Sequence, residues 1–495
     1  MLTPITLAIE ASSAFLRLAE TCLGNASIYV YAQKGCAMIA RTFSSFKTSV
    51  LVLILWMQPS LFAAVSTNHH VILITIDGLA AFYLSDPRAP LPTLRKLAAE
   101  GASAEGLRVS NPSVTWANHT TLVTGVHPEK HSVLFNGALI RPGPGEPVRI
   151  EGDRDQSDLV AVPTLYDHLH RAGYRTANIN WPCTRGAKTL DDNFPDVPDQ
   201  IRYITPRLRA QLIGIGILDD AEDLSFRNKS AASRDQIWTA AASHLIKSRR
   251  PNFMLLHLLI TDAIQHRYGP QSPAAYTAVA LADAHVANVL RAVDAAGIRE
   301  RTTIFITSDH GFAKPSKLVN PNVVFRKAGL QRPPPRCRVQ AMSEGGTAFV
   351  YLTAPATREE DRGKVIELLR GQEGIAEILK PDRFAALHLP DPARNPQMGD
   401  LVLVAKEGYA FSNESYDDDP VTELTFPAGS HGYLATNPKM DGMFVAWGRG
   451  IKPGVKLGMV NNIDVAPTIA ELLGQQFPEA DGKILREIVK GSAPP

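Results

Sequence analysis

The sequence predicts an α/β fold, a mainly parallel sheet sandwiched by helices, with a small α+β insertion. Short apolar runs rich in β-branched residues alternate with segments of helical periodicity. Acidic and imidazole residues recur just past the ends of those runs, as expected where a parallel sheet gathers a site at one edge. One stretch, 314–427, breaks the alternation. The chain has 495 residues, 45% hydrophobic and 20% charged, so it can bury a large core. A net charge of +2 provides neither a nucleic-acid surface nor an acidic tail, so any attraction for phosphate must come from a local site.

At the N-terminus, TSVLVLILWMQPSLFAAVS is apolar, follows Arg41 and Lys47, and ends with small residues Ala64 and Ser66 at cleavage-like positions. Residues 1–66 therefore read as a signal or targeting segment that exports the protein to the periplasm or the outside. The apolar run is too short for a spanning helix, although an uncleaved anchor is the alternative and Met38 is an alternative start. HHVILITIDG then predicts a buried strand that ends on Asp77. LPTLRKLAAEG follows as a helix stopped by Gly101. TLYDHLHRAG and YRTANINWP form the next helix and strand, DQIWTAAASHLIK and PNFMLLHLLIT another pair, and AAYTAVALADAHVANVLRAVDAAG precedes the strand TTIFIT. Residues 67–313 and 428–495 are expected to form the main domain.

The 314–427 stretch opens near the Pro-rich QRPPPRC and continues through GTAFVYLT, EEDRGKVIELLRG and GDLVLVAKEGYAFS, a small α+β unit expected to act as a cap. YDDDP within it lacks the Gly and terminal Glu of an EF-hand loop and reads as a solvated turn. Of the cysteines, Cys183 and Cys337 lie beyond the targeting segment and are either a disulfide or two buried thiols.

The chemistry lies in Asp77 (ITIDGL), Thr115 (PSVTWANHTTLVTG), Asp262 and His266 (TDAIQHRYGP), Asp309 and His310 (FITSDHGF) and His431 (SHGY). Each fragment alone is weak; together they supply the mixed nitrogen and oxygen donors that suit zinc. Two divalent cations about 4 Å apart can clamp the attacking and leaving oxygens of a phosphate ester. A helical turn puts Asp262 and His266 on one face. Thr115 is either the N-cap of a helix or a nucleophile at its positive end, with Ser113 as rival hydroxyl. His119 reads as loop support, His127 and His131 as polar framework, and His69 and His70 as solvated; none is expected to bind metal.

These motifs, in this order, resemble the nucleotide pyrophosphatase/phosphodiesterase branch of the alkaline phosphatase superfamily, from about Val71 to Leu485 and including the closing segment IDVAPTIAELLG. The resemblance implies an alkaline-phosphatase-like sheet, two Zn²⁺ ions and a threonine nucleophile phosphorylated during turnover. It assigns Asp77, Asp309, His310 and the Thr115 hydroxyl to one metal, and Asp262, His266 and His431 to the other. It also implies that Asn118 hydrogen-bonds a non-bridging phosphoryl oxygen and that Trp116 stacks on a nucleobase, the bland reading of Trp116 being a pocket wall. The sequence departs from the family at His257, where many members have tyrosine, and at Cys183 in WPCTRG.

No arginine adjoins Thr115, and Trp116 and Ala117 beside it are apolar, which favours diester or pyrophosphate hydrolysis. Phosphomonoesterase or phosphonate hydrolase is the alternative, as is a transferase of phosphorylated headgroups on the same scaffold. The expected partner is a small phosphate ester, a nucleotide among the candidates, with no nucleic-acid polymer and no stable membrane partner.

Overall fold

The computed structural model describes residues 68–196, 200–219, 223–332 and 336–491. The expected targeting segment, Cys22 and Cys36 lie outside these residues. Among the described residues, eight strands form the central sheet: β1 (His70–Ile76), β2 (Ala102–Arg108), β3 (Thr176–Pro182), β4 (Asp192–Asp196), β5 (Phe253–Leu258), β6 (Thr302–Thr307), β7 (Phe444–Gly448) and β8 (Val455–Asn461). Their spatial order is β8-β2-β7-β6-β1-β5-β3-β4. Only β7 runs antiparallel to its neighbours, so the sheet is mainly parallel.

The apolar runs are continuous because both sheet faces are covered. Side chains alternate across a strand: Ile72, Ile74 and Ile76 of β1 pack on one face with Trp238 and Val286, while Val71 and Leu73 pack on the other with Leu122, Leu169 and Ile469. The first face carries helices α1 (Pro92–Glu100), α4 (Ala231–Ser248) and α6 (Pro273–Ala295). The second carries α2 (Thr115–Thr124), α3 (Leu165–Arg171) and α7 (Val465–Leu472). Gly101 does end α1, for a packing reason: a Cβ there would lie 2.2 Å from the Ala446 carbonyl of β7. Helix α5 (Ile260–Tyr268) follows β5 directly.

Within 314–427, strands Val339–Ser343, Thr347–Leu352, Leu401–Ala405 and Ile375–Leu379 form a four-stranded antiparallel sheet in that order, and helix Arg358–Leu369 packs on it. Three short strands, Lys317–Val319, Tyr409–Phe411 and Val421–Glu423, form a second sheet. Tyr416, Asp417, Asp418 and Asp419 are exposed. The segment shares apolar clusters with Val109, Met440, Leu134 and Phe135. Its Gly345–Gly346 turn runs against the loop carrying His431: Gly346 N–H donates to the His431 carbonyl at 2.8 Å, and a Cβ on Gly346 would strike the Tyr433 ring at 2.1 Å.

Cys183 and Cys337 are separate buried thiols, not a disulfide, and burial pushes them up to about 12 and about 11 respectively. His69 and His70 are buried, contrary to the solvated reading. His69 hydrogen-bonds the Leu472 carbonyl and Thr303, and His70 the Pro251 carbonyl, so both imidazoles pin the start of β1. Their polar rings are paired by distant carbonyls that sequence order does not reveal.

Candidate active site

The two strands flanking β1 bring the chemistry to one edge. Asp77 follows β1, Asp309 and His310 follow β6, and α5 after β5 carries Asp262 and His266 one helical turn apart. His431 arrives from the loop beyond 427 and is anchored when Gly432 N–H donates to the Ser113 carbonyl at 3.0 Å. The structure thus brings all the expected ligands together.

The three histidines share one geometry. Nδ1 of His310 donates to the Gly311 carbonyl at 3.0 Å, Nδ1 of His266 to Gly429 at 3.2 Å and Nδ1 of His431 to Ser113 at 3.1 Å. A carbonyl can only accept, so each ring presents Nε2 to the site. Nε2 of His310 lies 3.3 Å from Asp77 Oδ1 and 3.5 Å from Asp309 Oδ2. Nε2 of His266 and His431 lie 3.2 and 3.8 Å from Asp262 Oδ1. Asp77 Oδ1, Asp262 Oδ1 and Asp309 Oδ2 are buried and accept no hydrogen bond from the protein. Buried carboxylate oxygens left unpaired are costly, so these converging donors fit divalent metal. Asp77, Asp309 and His310 form one tight group, and Asp262, His310 and His431 a second that shares His310.

The protons follow the same crowding. Burial and the charge of Asp77 push Asp309 up to about 8. Burial opposes charge on His310, but Asp309 and Asp77 outweigh it and carry the ring up to about 10. His431 is held well below its usual value by burial and by His310 and His266.

Thr115 begins α2 but makes no capping bond; its Oγ1 lies 3.4 Å from His310 Nε2. Ser113 is fully buried with its hydroxyl committed to the Tyr433 carbonyl at 2.6 Å, which leaves Thr115 as the hydroxyl at the site.

The family model described as type I phosphodiesterase / nucleotide pyrophosphatase matches residues 71–434. The chain belongs to this family. Among its relatives, ectonucleotide pyrophosphatase/phosphodiesterase family member 3 of Bos taurus is 22% identical over 410 residues, covering 81% of this chain and 42% of the relative. The bis(5'-adenosyl)-triphosphatase of Xenopus laevis is 24% identical over 422 residues, covering 83% of this chain and 78% of the relative. The chain thus spans less than half the length of the first and most of the second. Human ectonucleotide pyrophosphatase/phosphodiesterase 5 shares the fold, with a TM-score of 0.65 at 19% identity, over 85% of this chain and 100% of that one.

One residue of this phosphodiesterase-family chain is not where the resemblance placed it. Asn118 is fully buried and turned into the chain around it: its Nδ2 donates to the Pro112 and Val114 carbonyls at 3.0 Å, and its Oδ1 accepts from Ser110 N–H and Asn462 Nδ2. It staples the loop entering α2 and has no donor left for phosphate. Asn136, which the sequence reading did not select, stands at the site instead. Its Oδ1 accepts the Trp116 N–H at 3.0 Å, one residue beyond Thr115, and its exposed side chain lines a cavity. An Asn-Gly pair in a loop reads as turn chemistry, so only spatial proximity marks it out.

That cavity, about 250 Å³, is lined by Trp116, Asn136, Asp196, Gln200, Arg227 and Arg234 among others. The Trp116 ring is 6% exposed and packs on Val133, Leu159 and Cys183, so it walls the cavity. The two arginines come from far along the chain, which is why no cation is visible beside Thr115 in sequence.

His119 lies inside α2 rather than in a loop, its Nδ1 donating to the Thr115 carbonyl one turn earlier at 2.8 Å. His127 and His131 are framework residues, bonded to Ser110 and Thr121.

Proposed function

We propose that the protein is an exported zinc-dependent hydrolase that cleaves phosphodiester or pyrophosphate bonds through a phosphothreonine intermediate. The observation that carries this reading is the set of three imidazoles whose Nδ1 atoms are spent on backbone carbonyls and whose Nε2 atoms meet three orphaned carboxylate oxygens beside Thr115. Asp77, Asp309, His310 and Thr115 would hold one zinc ion, and Asp262, His266 and His431 the other. Bound there, the ions would lower the pKa of the Thr115 hydroxyl and neutralise phosphoryl charge.

Thr115 Oγ1 attacks phosphorus in line, the bond from phosphorus to the leaving oxygen breaks, and the substrate's phosphoryl group stays on the threonine. Water then cleaves that ester and restores the hydroxyl. Asn136 takes the role the resemblance gave Asn118: with Oδ1 fixed by Trp116, its Nδ2 donates to a non-bridging oxygen as charge develops.

The cavity beside Trp116 receives the substituent on phosphorus. Arg227 and Arg234 in its wall favour an anionic substituent, as in a pyrophosphate linkage, over an uncharged one. A nucleotide fits this reading, since a murine ectonucleotide pyrophosphatase/phosphodiesterase 5 of the same fold has been solved in an inactive form with AMP. Segment 314–427 serves as the cap that brings His431 back to the site.

The test is turnover of a chromogenic phosphodiester, its monoester and a nucleotide pyrophosphate by purified protein. The expected result is about two zinc ions per chain, loss of activity to chelator with recovery on zinc addition, and a preference for the diester or pyrophosphate. Thr115→Ala should bind zinc and keep its melting transition but show no turnover; near-normal rates would remove Thr115 as nucleophile.

A further inference from the structure

His257 is an enclosed imidazole at the site that the scheme above leaves without work. It sits on β5 in register with Thr75 of β1, 1% exposed, with Nε2 in ion-pair contact with Asp77 Oδ2 at 3.3 Å and no hydrogen bond of its own to any other group. Its Nδ1 lies 3.0 Å from the Thr75 hydroxyl and 3.0 Å from Nε2 of His119. His119 in turn is 2.8 Å from Thr75 and holds the Thr115 carbonyl. The Asn180 side chain donates to the His257 carbonyl at 3.2 Å, which fixes the strand at this point.

We propose that His257 is a positioning residue for the metal ligand Asp77, its Nε2–H holding Oδ2 so that the orphaned Oδ1 faces the ion. The inference rests on the two-metal reading above. Thr75 and His119 make the support continuous: one buried network orients Asp77 from its back and, through the peptide carbonyl of Thr115, the start of the nucleophile's helix. A carboxylate with one oxygen tied keeps its other oxygen aimed, and loss of such an outer partner typically weakens metal binding about 10–100-fold.

Two amide substitutions separate positioning from packing. Glutamine places its terminal N–H where Nε2 of the imidazole lies and reaches Asp77. Asparagine is shorter, reaches the Thr75 side only and leaves Oδ2 unheld. Zinc affinity of each apo protein is read by competition with a chromophoric chelator, with melting of the apo forms as the fold control. His257→Asn should weaken one of two zinc sites by about 10–100-fold and leave the other unchanged. His257→Gln should stay within about threefold of the unsubstituted protein, a small fraction of that loss. Equal affinities for the two variants overturn the inference, because a filler of space would not distinguish them. If His257→Asn does not fold, the glutamine variant decides: a tenfold loss there overturns the proposal. An unsubstituted protein that binds no zinc overturns the metal reading itself, a result distinct from equal variants on a zinc-binding protein.

Discussion

At the scale of single residues, two asparagines in one neighbourhood carry opposite duties. Asn118 spends every polar atom on backbone and on Asn462, whereas Asn136 spends Oδ1 on the Trp116 N–H and lies open to the cavity. Asn136→Ala should therefore cost about 3–4 kcal/mol of transition-state stabilisation, read from kcat/KM, with the melting temperature nearly unchanged. Asn118→Ala should do the reverse, lowering stability by about 1–3 kcal/mol because buried carbonyls and N–H groups lose their partner. Kinetics and chemical denaturation of both variants check this, and a fold that tolerates Asn118→Ala while activity survives Asn136→Ala would reverse the assignment. The donor types were legible in the sequence; which asparagine lies open to the cavity was not, because a side chain's direction depends on what packs behind it.

At the scale of elements, α5 is delivered with Asp262 and His266 already aimed. Asp235 of α4 is fully buried, and its two oxygens accept the N–H groups of Leu259 and Ile260 at 2.9 and 3.0 Å, where α5 begins. Those N–H groups belong to the helix start, which has no internal acceptors. Asp235→Ala should lower stability by about 2–3 kcal/mol and weaken zinc at the Asp262–His266 end, measured by denaturation and metal titration. Unchanged affinity in that variant would show that α5 is held by its apolar contacts alone. The i, i+4 spacing of Asp262 and His266 was readable because it lies within one helix; the anchor from α4 was not, since it joins residues that are neighbours only once the sheet has formed.

For the whole molecule, pH sets stability through histidines buried as neutral rings. Burial holds His69 at about 4, His127 at about 4 and His131 at about 3, against 6.5 for the unfolded chain. Between those values the unfolded chain binds protons that the folded state refuses, so stability rises with pH. From these groups the melting temperature should fall steadily as pH drops from about 6.5 to 4. His131→Gln should flatten part of that slope whatever it does to the height of the curve, and an unaltered slope would exclude His131 as a contributor. A scan of metal-free protein separates this effect from loss of zinc at low pH.

The alternation of apolar runs, the mainly parallel sheet and the residues that meet at its edge follow from local pattern, since burial on both faces demands continuous hydrophobic strands and ligands sit at strand ends. Tertiary structure alone decided the rest: Asn136 open to the cavity while Asn118 is buried, His69 and His70 inside the core, arginines from 227 and 234 in the cavity wall, and His257 behind Asp77. Each of these depends on which distant groups become neighbours, and a polar side chain takes its role from the partner it finds there.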